Sequence, residues 1–273
     1  MFRLTREYLD TKITGEALTY RENAPFPNVC IDDFLPQDVL EQVIAALPDP
    51  DTYAPRDKTG NLGKSAAHKM AAENYPDVLH NLVQEMNGRV VLEWLTRLTG
   101  INALLGDPYM HCGGIHQTRK SGFLHVHADY TYLPDIRLDR RLNVLLYLNP
   151  GWKDEWGGHL GLWNKDGSKL ERKIAPIANR LCVFNTDDNS LHGHPEPLAA
   201  PEGVVRNSLA MYYYTSGRPN DGSVKGRNLS TKYLVPKTGK FVEGEPLVIE
   251  SGEGLKHRIK NWRRLQALKK TIT

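Results

Sequence analysis

The stretch "GFLHVHADYTYLP", residues 122–134, decides the fold because it carries three polar groups in an apolar and aromatic run typical of a β-strand. Alternate residues of a strand point to the same face, which predicts a shared face for His125, His127 and Asp129. From such a face His127 and Asp129 can bind one metal ion, and a histidine from a distant strand would complete a two-histidine-one-carboxylate triad, which leaves open positions on Fe(II). The alternative is a merely hydrogen-bonded pair, because an H-x-D pattern also arises by chance.

The composition favours a soluble globular protein of about one large domain. The chain has 273 residues, of which 40% are hydrophobic and 25% are charged. The net charge of +3 is too small to indicate a nucleic-acid-binding protein, and no apolar run approaches the length of a membrane span. Cys30, Cys112 and Cys182 are far apart, which excludes a zinc ribbon and suits a reducing compartment. No secretory signal is visible, so we expect a cytoplasmic protein.

The first part of the chain, residues 1–107, is predicted to form a strand and several helices that support the domain behind it. Apolar residues at helical spacing predict helices over 36–50 and over 76–100, the latter ending at Gly100. The segment 52–69 between them is polar and rich in Gly and Lys, which favours a loop that could cover a site.

From about residue 108 the periodicity changes to short strands. Runs rich in β-branched, leucine and aromatic residues alternate with turns up to residue 216, a spacing typical of a sandwich or barrel. We therefore predict a mainly β fold over 108–216, with the N-terminal helices packed against it as a layer. The extension over 217–273 ends in "LKHRIKNWRRLQALKK", residues 255–270, which predicts a basic amphipathic helix. We expect the three parts to form one integrated domain.

Two further strands place polar groups on one side of an otherwise apolar ribbon. In "RLNVLLYLN" the residues Asn143 and Tyr147 share one face, and the opposite face is apolar. In "RNSLAMYYYT" the residues Arg206, Ser208 and Tyr212 share one face. A closed barrel with a polar, ligand-holding interior explains this pattern. Purely structural roles, such as a core tyrosine at Tyr147 or a surface arginine at Arg206, are the alternative.

The second histidine of the triad is expected in "SLHGHPEP", as His192 or His194. His192 follows His127 by 65 positions (192 − 127), a gap that holds the strands needed to return to the same end of a barrel. For His125 we expect a surface or structural role.

Six segments in order resemble the prolyl 4-hydroxylase-like branch of the Fe(II)/2-oxoglutarate-dependent dioxygenase superfamily. They are "HADY", "RRLNVLLYLNPGW", "WGGHLGLW", "IAPIANRLCVF", "SLHGHPEP" and "RNSLAMYYYT", within residues 108–216. The resemblance implies a double-stranded β-helix, a jelly-roll, cupin-like barrel packed against the helical layer.

The resemblance also implies a site, position by position. The implied ligands of iron are His127, Asp129 and His192, and the implied contacts of 2-oxoglutarate are Arg206, Ser208, Tyr147, Asn143 and Gln117. Arg206 would bind the far carboxylate. It follows His192 by fourteen positions (206 − 192), more than is usual in the family. Choosing His194 would shorten the gap, but "HGHP" is similar to the family's H-G-x-P, whose first histidine binds iron.

The implied reaction consumes 2-oxoglutarate and O₂, releases succinate and CO₂, and hydroxylates an unactivated C–H bond. Asp129 favours hydroxylation, since halogenating members of the superfamily replace this carboxylate by a small residue. Ascorbate is a further candidate cofactor. Basic residues near the expected mouth favour an anionic small-molecule, carrier-linked or peptide-linked substrate, although a solvated charge run explains them equally well. These residues are Arg56, Lys58, Lys64, Arg137, Arg140 and Arg141.

Three other functions stay open at this point. A cupin-type metalloenzyme would bind a metal without 2-oxoglutarate. A catalytically silent binding module would keep only the barrel, but the presence of all three candidate ligands and Arg206 argues against it. An oxygenase of nucleic-acid repair would use the basic C-terminal segment, whose apolar residues instead favour a helix packed on the body or on a partner.

Overall fold

Four helices form a layer against one face of the β-sheet. The computed structural model describes residues 2–52, 64–69, 74–110, 113–235 and 239–244, and the helices within these ranges are α1 (Arg6–Asp10), α2 (Gln37–Ala45), α3 (Asp77–Asn87) and α4 (Arg89–Thr99). α2 begins directly after Pro36, and α4 ends at Gly100, whose φ of 71° lies in the left-handed region that favours glycine. The predicted helices are therefore confirmed.

The strands of the described residues form one curled antiparallel sheet. They are β1 (Asn28–Ile31), β2 (Lys64–Lys69), β3 (Gly114–Ala128), β4 (Tyr132–Leu133), β5 (Leu138–Tyr147), β6 (Leu160–Trp163), β7 (Leu170–Ile174), β8 (Leu181–Asn185), β9 (His192–His194), β10 (Arg206–Thr215), β11 (Lys232–Val235) and β12 (Lys240–Glu243). The strand order is β1-β8-β5-β10-β3-β9-β6-β7. In addition, β2 and β11 pair with β3, β4 pairs with β5, and β12 pairs with β11.

β3 carries the sheet from one layer to the other. At about 3.3 Å per residue a strand of this length extends about 50 Å, more than one layer needs. Its first half pairs with β10, where Thr118 lies opposite Arg206, and its second half pairs with β9, where His127 lies opposite His192. Between Leu124 and His127 the register shifts because β3 contains one extra residue, a β-bulge.

The two faces of the central strands bury different clusters. The face toward the helices is apolar and includes Leu142, Val144 and Leu146 of β5 and Leu209, Met211 and Tyr213 of β10. The face toward the interior joins the two layers through a smaller cluster that includes Tyr147, Cys182 and Phe184 from one layer and Leu160, Leu162 and Ile174 from the other. The predicted apolar face of "RLNVLLYLN" is thus confirmed, and the polar groups of β5 and β10 are left for the interior.

The structure corrects the expected loop at 52–69. Residues 64–69 form β2, which is antiparallel to β3, because pairing with a long neighbouring strand outweighs a local composition that favours loops. The residues 53–63 of that expected loop and the expected basic helix over 255–270 lie outside the described residues. Among the helices of the described residues, none combines the length and the apolar character needed to span a membrane.

Candidate active site

Three side chains that the sequence singles out meet between the two layers. His127 lies near the end of β3, Asp129 follows that strand, and His192 opens β9 opposite His127. The Nε2 atoms of His127 and His192 lie 3.7 Å from Oδ1 and 3.4 Å from Oδ2 of Asp129, respectively. One ligand atom from each residue lies within 4.8 Å of the other two. This group could hold one metal ion.

Backbone hydrogen bonds fix the orientation of both imidazoles. Nδ1 of His127 donates to the carbonyl of His125 at 2.8 Å, and Nδ1 of His192 donates to the carbonyl of Ser190 at 2.9 Å. Since a carbonyl only accepts, each ring in its neutral form carries its proton on Nδ1 and keeps the lone pair of Nε2 for a metal. Burial, followed by the charge of His192, lowers the pKa of His127 to about 3, so this ring is neutral near pH 7.

Two buried side chains brace the carboxylate of Asp129. Its Oδ2 accepts hydrogen bonds from Nη2 of Arg140 at 2.9 Å and from Nδ2 of Asn143 at 2.8 Å, and Arg140 also donates to Oδ1 of Asn143. Burial alone would raise the pKa of Asp129, but the charge of Arg140 and the hydrogen bond and charge of His192 hold that pKa well below its usual range. Asp129 is therefore ionised and oriented, as a metal-binding carboxylate must be.

The expectation that Arg140 belongs to a basic rim is wrong, because Arg140 is buried. Its side chain is 1% exposed, and its guanidinium carbon lies 3.5 Å from the ring centroid of Tyr212 and 4.5 Å from that of Tyr130. Aromatic faces and a carboxylate together compensate the positive charge. Arg140 thus supports the ligand Asp129 from inside the protein.

A bulge in β5 explains why the sequence pattern misplaced Arg140. The register of β5 against β10 shifts so that Arg141 has no partner across the strands. Alternation is broken there, and Arg140 shares the interior with Asn143, although the two lie an odd number of positions apart. In the rest of the expected rim, Arg137 is exposed and Arg141 is half-buried. Two other expected rim residues, Arg56 and Lys58, lie outside the described residues, as does the side chain of Lys64.

A second buried cation, Arg206, enters the interior from the start of β10. It is 6% exposed, its Nε donates to the carbonyl of Gly158 at 2.7 Å, and its Nη2 donates to the hydroxyl of Tyr147 at 3.3 Å. In the part of the chain that the structure describes, its Nη1 makes no hydrogen bond and no carboxylate pairs with it. A buried guanidinium without an anionic partner is unfavourable unless a bound anion compensates its charge.

Neighbouring residues extend this polar surface. Ser208 is buried and lies directly opposite Tyr147 in the register of β10 with β5, so the two side chains share a face. Gly158 has a φ of 68° and approaches so closely that a Cβ would lie 3.0 Å from Cδ of Arg206. Burial raises the pKa of Tyr147, which keeps its hydroxyl protonated and able to donate.

Gln117 does not join this surface. It lies opposite Asn207, on the face of β10 that points away from Arg206. Its Nε2 donates to the carbonyl of Pro48 at 2.9 Å and to Oδ1 of Asn207 at 2.8 Å. Asn143, in contrast, faces the interior and donates to the carboxylate of Asp129.

The remaining histidines of the two motifs, His125 and His194, lie outside the three-ligand group. The bulge in β3 interrupts the alternation that predicted a shared face for His125 and His127, and the ring of His125 lies 4.8 Å from that of Phe123, outside the three-ligand group. His194 follows His192 by two positions in β9 and is buried, but it is not part of that group either.

The C-terminal extension contacts the loops next to the candidate metal ligands, a role that the sequence did not indicate. The carbonyl of Asn228 accepts from the backbone N–H of Thr131, in the loop after β3, at 2.9 Å. The side-chain amide of Asn228 donates to Asp188, in the loop before β9. Tyr233 of β11 pairs with His127, and their ring centroids are 5.4 Å apart. A Gly-, Pro- and Lys-rich tail has no periodicity that would predict these long-range contacts.

The donors fit a metal ion and an anionic cosubstrate. Two imidazoles and one carboxylate are a ligand set that suits Fe(II) and leaves positions open. The guanidinium of Arg206, with its unpaired Nη1, suits a carboxylate, which a planar fork can bind through two hydrogen bonds.

Comparison with known proteins finds one matching family model. Residues 113–214 match the family model of the 2OG-Fe(II) oxygenase superfamily. This range contains β3 to β10, apart from the last residue of β10, and with them the three candidate ligands and Arg206. No curated protein matches the chain. The predicted resemblance to the superfamily is confirmed.

Solved structures share the fold. A prolyl-4-hydroxylase from Pseudomonas putida matches with a TM-score of 0.52 and 20% identity, over 74% of this chain and 100% of that chain. A prolyl 4-hydroxylase from Phytophthora capsici matches with a TM-score of 0.53 and 19% identity, over 97% and 76%. HygX from Streptomyces hygroscopicus, solved with nickel and 2-oxoglutarate bound, matches with a TM-score of 0.50 and 12% identity, over 85% and 97%. These likenesses confirm the predicted jelly-roll fold.

Proposed function

We propose that the protein hydroxylates an unactivated C–H bond with Fe(II) and 2-oxoglutarate. The match of residues 113–214 to the family model of the 2OG-Fe(II) oxygenase superfamily supports this proposal. The substrate is a small molecule or a group carried on a peptide or carrier. For each turnover, 2-oxoglutarate and O₂ are consumed, succinate and CO₂ are released, and the substrate gains one oxygen atom.

One observation carries this proposal, namely that a three-ligand group occurs in one β domain with a buried arginine that has no carboxylate partner among the described residues. The ligand group alone would also suit a cupin-type enzyme that does not use 2-oxoglutarate. Arg206, with Tyr147 and Ser208 beside it, favours a second ligand that carries a carboxylate. A dicarboxylic keto acid can satisfy both the metal and the arginine.

Each residue has a distinct task in this account. Iron together with 2-oxoglutarate supplies the oxidising chemistry when both are bound. His127, Asp129 and His192 hold the ion, and Arg140 keeps the carboxylate of Asp129 ionised and in place. Arg206 binds the far carboxylate of 2-oxoglutarate, with hydroxyl donors from Tyr147 and Ser208 at its side. Asp129 also supports hydroxylation over halogenation, because it leaves no room for a halide ligand.

We propose an anionic substrate, although fewer accessible cations support this than the sequence indicates. Arg140 neutralises Asp129 and is not available to a substrate. Arg137 is exposed in the turn before β5, Arg141 is half-buried, and Arg227 lies over the ring of Tyr132 at 4.1 Å. Arg137 and Arg227 lie near the segment that follows Asp129, whereas Arg141 donates to the hydroxyl of Thr215.

Turnover of 2-oxoglutarate tests the proposal. Purified protein with Fe(II), 2-oxoglutarate and ascorbate is incubated with pools of acids, phosphorylated metabolites and proline-containing peptides, and succinate and product masses are measured. We expect one pool to stimulate succinate release and to yield a product with one added oxygen atom. Oxygen consumption that depends on metal but not on 2-oxoglutarate would contradict the proposal in favour of a cupin-type enzyme.

A further inference from the structure

The second histidine of "HGHP" occupies an unexplained interior position. His194 follows His192 by two residues in β9, so the two side chains point to the same face, about 7 Å apart along the strand. His192 directs its ring to the metal group, and His194 is 7% exposed. His194 is therefore an interior side chain one strand repeat away from a metal ligand.

His194 lacks the hydrogen bond that a buried imidazole requires. Its Nδ1 is buried and has no hydrogen-bond partner among the described residues. Leaving a buried polar atom unsatisfied is unfavourable, so such atoms in native proteins call for a partner. By comparison, the Nδ1 atoms of His127 and His192 are both bonded to backbone carbonyls.

The surroundings of His194 indicate what that partner is. Gly193 lies opposite Gly161 of β6, so the register places His194 beside Leu160. Leu160 packs with Tyr147, whose hydroxyl accepts from Arg206. His194 therefore lies in the part of the interior that holds both Arg206 and the metal group. A keto acid that reaches from the metal to Arg206 passes through this region. An imidazole carries at least one N–H in either protonation state, so His194 has a proton to donate.

We propose that His194 is a cosubstrate-binding residue, whose Nδ1–H donates a hydrogen bond to the carboxylate of 2-oxoglutarate held by Arg206. The inference rests on the proposed function, because it requires 2-oxoglutarate as the ligand. It gives "HGHP" two roles on one short strand, with His192 binding the metal and His194 binding the cosubstrate.

Binding measurements with a redox-inactive metal test this assignment without turnover. Mn(II)-loaded protein is titrated with 2-oxoglutarate by calorimetry, and oxalate serves as a second ligand, because it chelates the metal but lacks the far carboxylate. His194→Phe keeps the ring shape and removes both nitrogens. We expect it to raise the Kd of 2-oxoglutarate about tenfold or more, the effect of losing a hydrogen bond to a charged group. The Kd values of oxalate and of Mn(II) should stay unchanged.

A second pair of variants tests the same role if His194→Phe does not fold. His194→Asn places an amide near the position of Nδ1, whereas His194→Gln places one near Nε2. We expect Asn to retain more 2-oxoglutarate affinity than Gln. Equal affinities of Phe and wild type, or an Asn variant no better than Gln, would overturn the role of His194.

The controls separate this inference from the proposed function. If wild-type protein binds Mn(II) but not 2-oxoglutarate, the proposed function fails and the role of His194 fails with it. If wild type binds 2-oxoglutarate, Arg206→Ala weakens that binding and His194→Phe does not, only the assignment of His194 is overturned.

Discussion

Arg140 donates a 2.9 Å hydrogen bond to Oδ2 of Asp129, and so places a buried cation directly behind the carboxylate of the candidate metal site. The same oxygen accepts from Asn143. Removing a residue that hydrogen-bonds to a metal ligand typically lowers metal affinity by about 10- to 100-fold. The metal site therefore depends on residues that do not touch the metal.

Arg140→Met should weaken metal binding by about tenfold or more, because Asp129 loses the cation that keeps it ionised and oriented. The Kd of Mn(II) or Co(II), measured by calorimetry, checks this. Arg137→Met is the matched control, since Arg137 is exposed in the turn before the same strand and should leave metal affinity unchanged. Equal metal affinities of both variants would remove Arg140 from the site.

Asp129→Ala and His127→Ala should each abolish 2-oxoglutarate turnover, because two ligands hold the metal too weakly. Bound iron after gel filtration and succinate release are the measurements. His80→Ala, on the exposed surface of α3, is a control that should keep both. Full activity in either ligand variant is incompatible with the metal assignment.

Arg206→Ala should raise the KM for 2-oxoglutarate by about 10- to 100-fold with a smaller effect on kcat, because a charge-assisted hydrogen bond to the cosubstrate is lost. Steady-state kinetics at saturating substrate show the split. Arg180→Ala removes a side chain that pairs with Asp32 and not with the residues around Arg206, and it should leave this KM unchanged. An unaltered KM in Arg206→Ala would mean that the arginine does not bind the cosubstrate.

Asn228→Ala should lower both thermal stability and metal affinity, because the side chain of Asn228 ties the extension to Asp188 in the loop before His192. We expect a loss of about 1 kcal/mol in the free energy of unfolding and a few-fold rise in the Kd of Mn(II). Asn164→Ala, which removes an exposed amide bonded to Ser168, is the control. A loss of stability with full metal affinity would limit the extension to a structural role.

The metal-free protein should lose stability as the pH falls below the ordinary pKa of histidine. Burial, and then the charge of His192, lower the pKa of His127 from 6.5 to about 3 in the folded state. Protonation therefore favours the unfolded chain between these values. At about pH 5 the cost is about 2 kcal/mol relative to pH 7.5. Urea unfolding at both pH values should show a smaller loss in His127→Gln than in wild type, and His80→Gln should behave as wild type does.

The sequence predicts the parts of the fold and site that depend on local periodicity. Strict alternation over residues 142–148 separates the apolar face from the face of Asn143 and Tyr147, and the H-x-D pattern of His127 and Asp129 points to two members of the candidate metal group. Alternation fails wherever a bulge intervenes. An extra residue in β3 separates His125 from His127, and another in β5 turns Arg140 inward. A sequence pattern does not contain these bulges, because pairing with another strand produces them.

Contacts between distant segments are the other part that could not be predicted. Nothing local in "SLHGHPEP" distinguishes a metal ligand from a buried neighbour, and only pairing with β3 places His192 opposite His127. Likewise, the role of Asn228 depends on two loops that are about 40 and 100 positions earlier in the chain.

Anaerobic titration of the Fe(II)-loaded protein with 2-oxoglutarate, followed by visible absorption, tests the central claim most directly. We expect a charge-transfer band that grows to saturation in wild type, needs a much higher 2-oxoglutarate concentration in Arg206→Ala, and is absent in His192→Ala. A folded wild-type protein that retains iron but gives no band and no heat of binding with 2-oxoglutarate would contradict it.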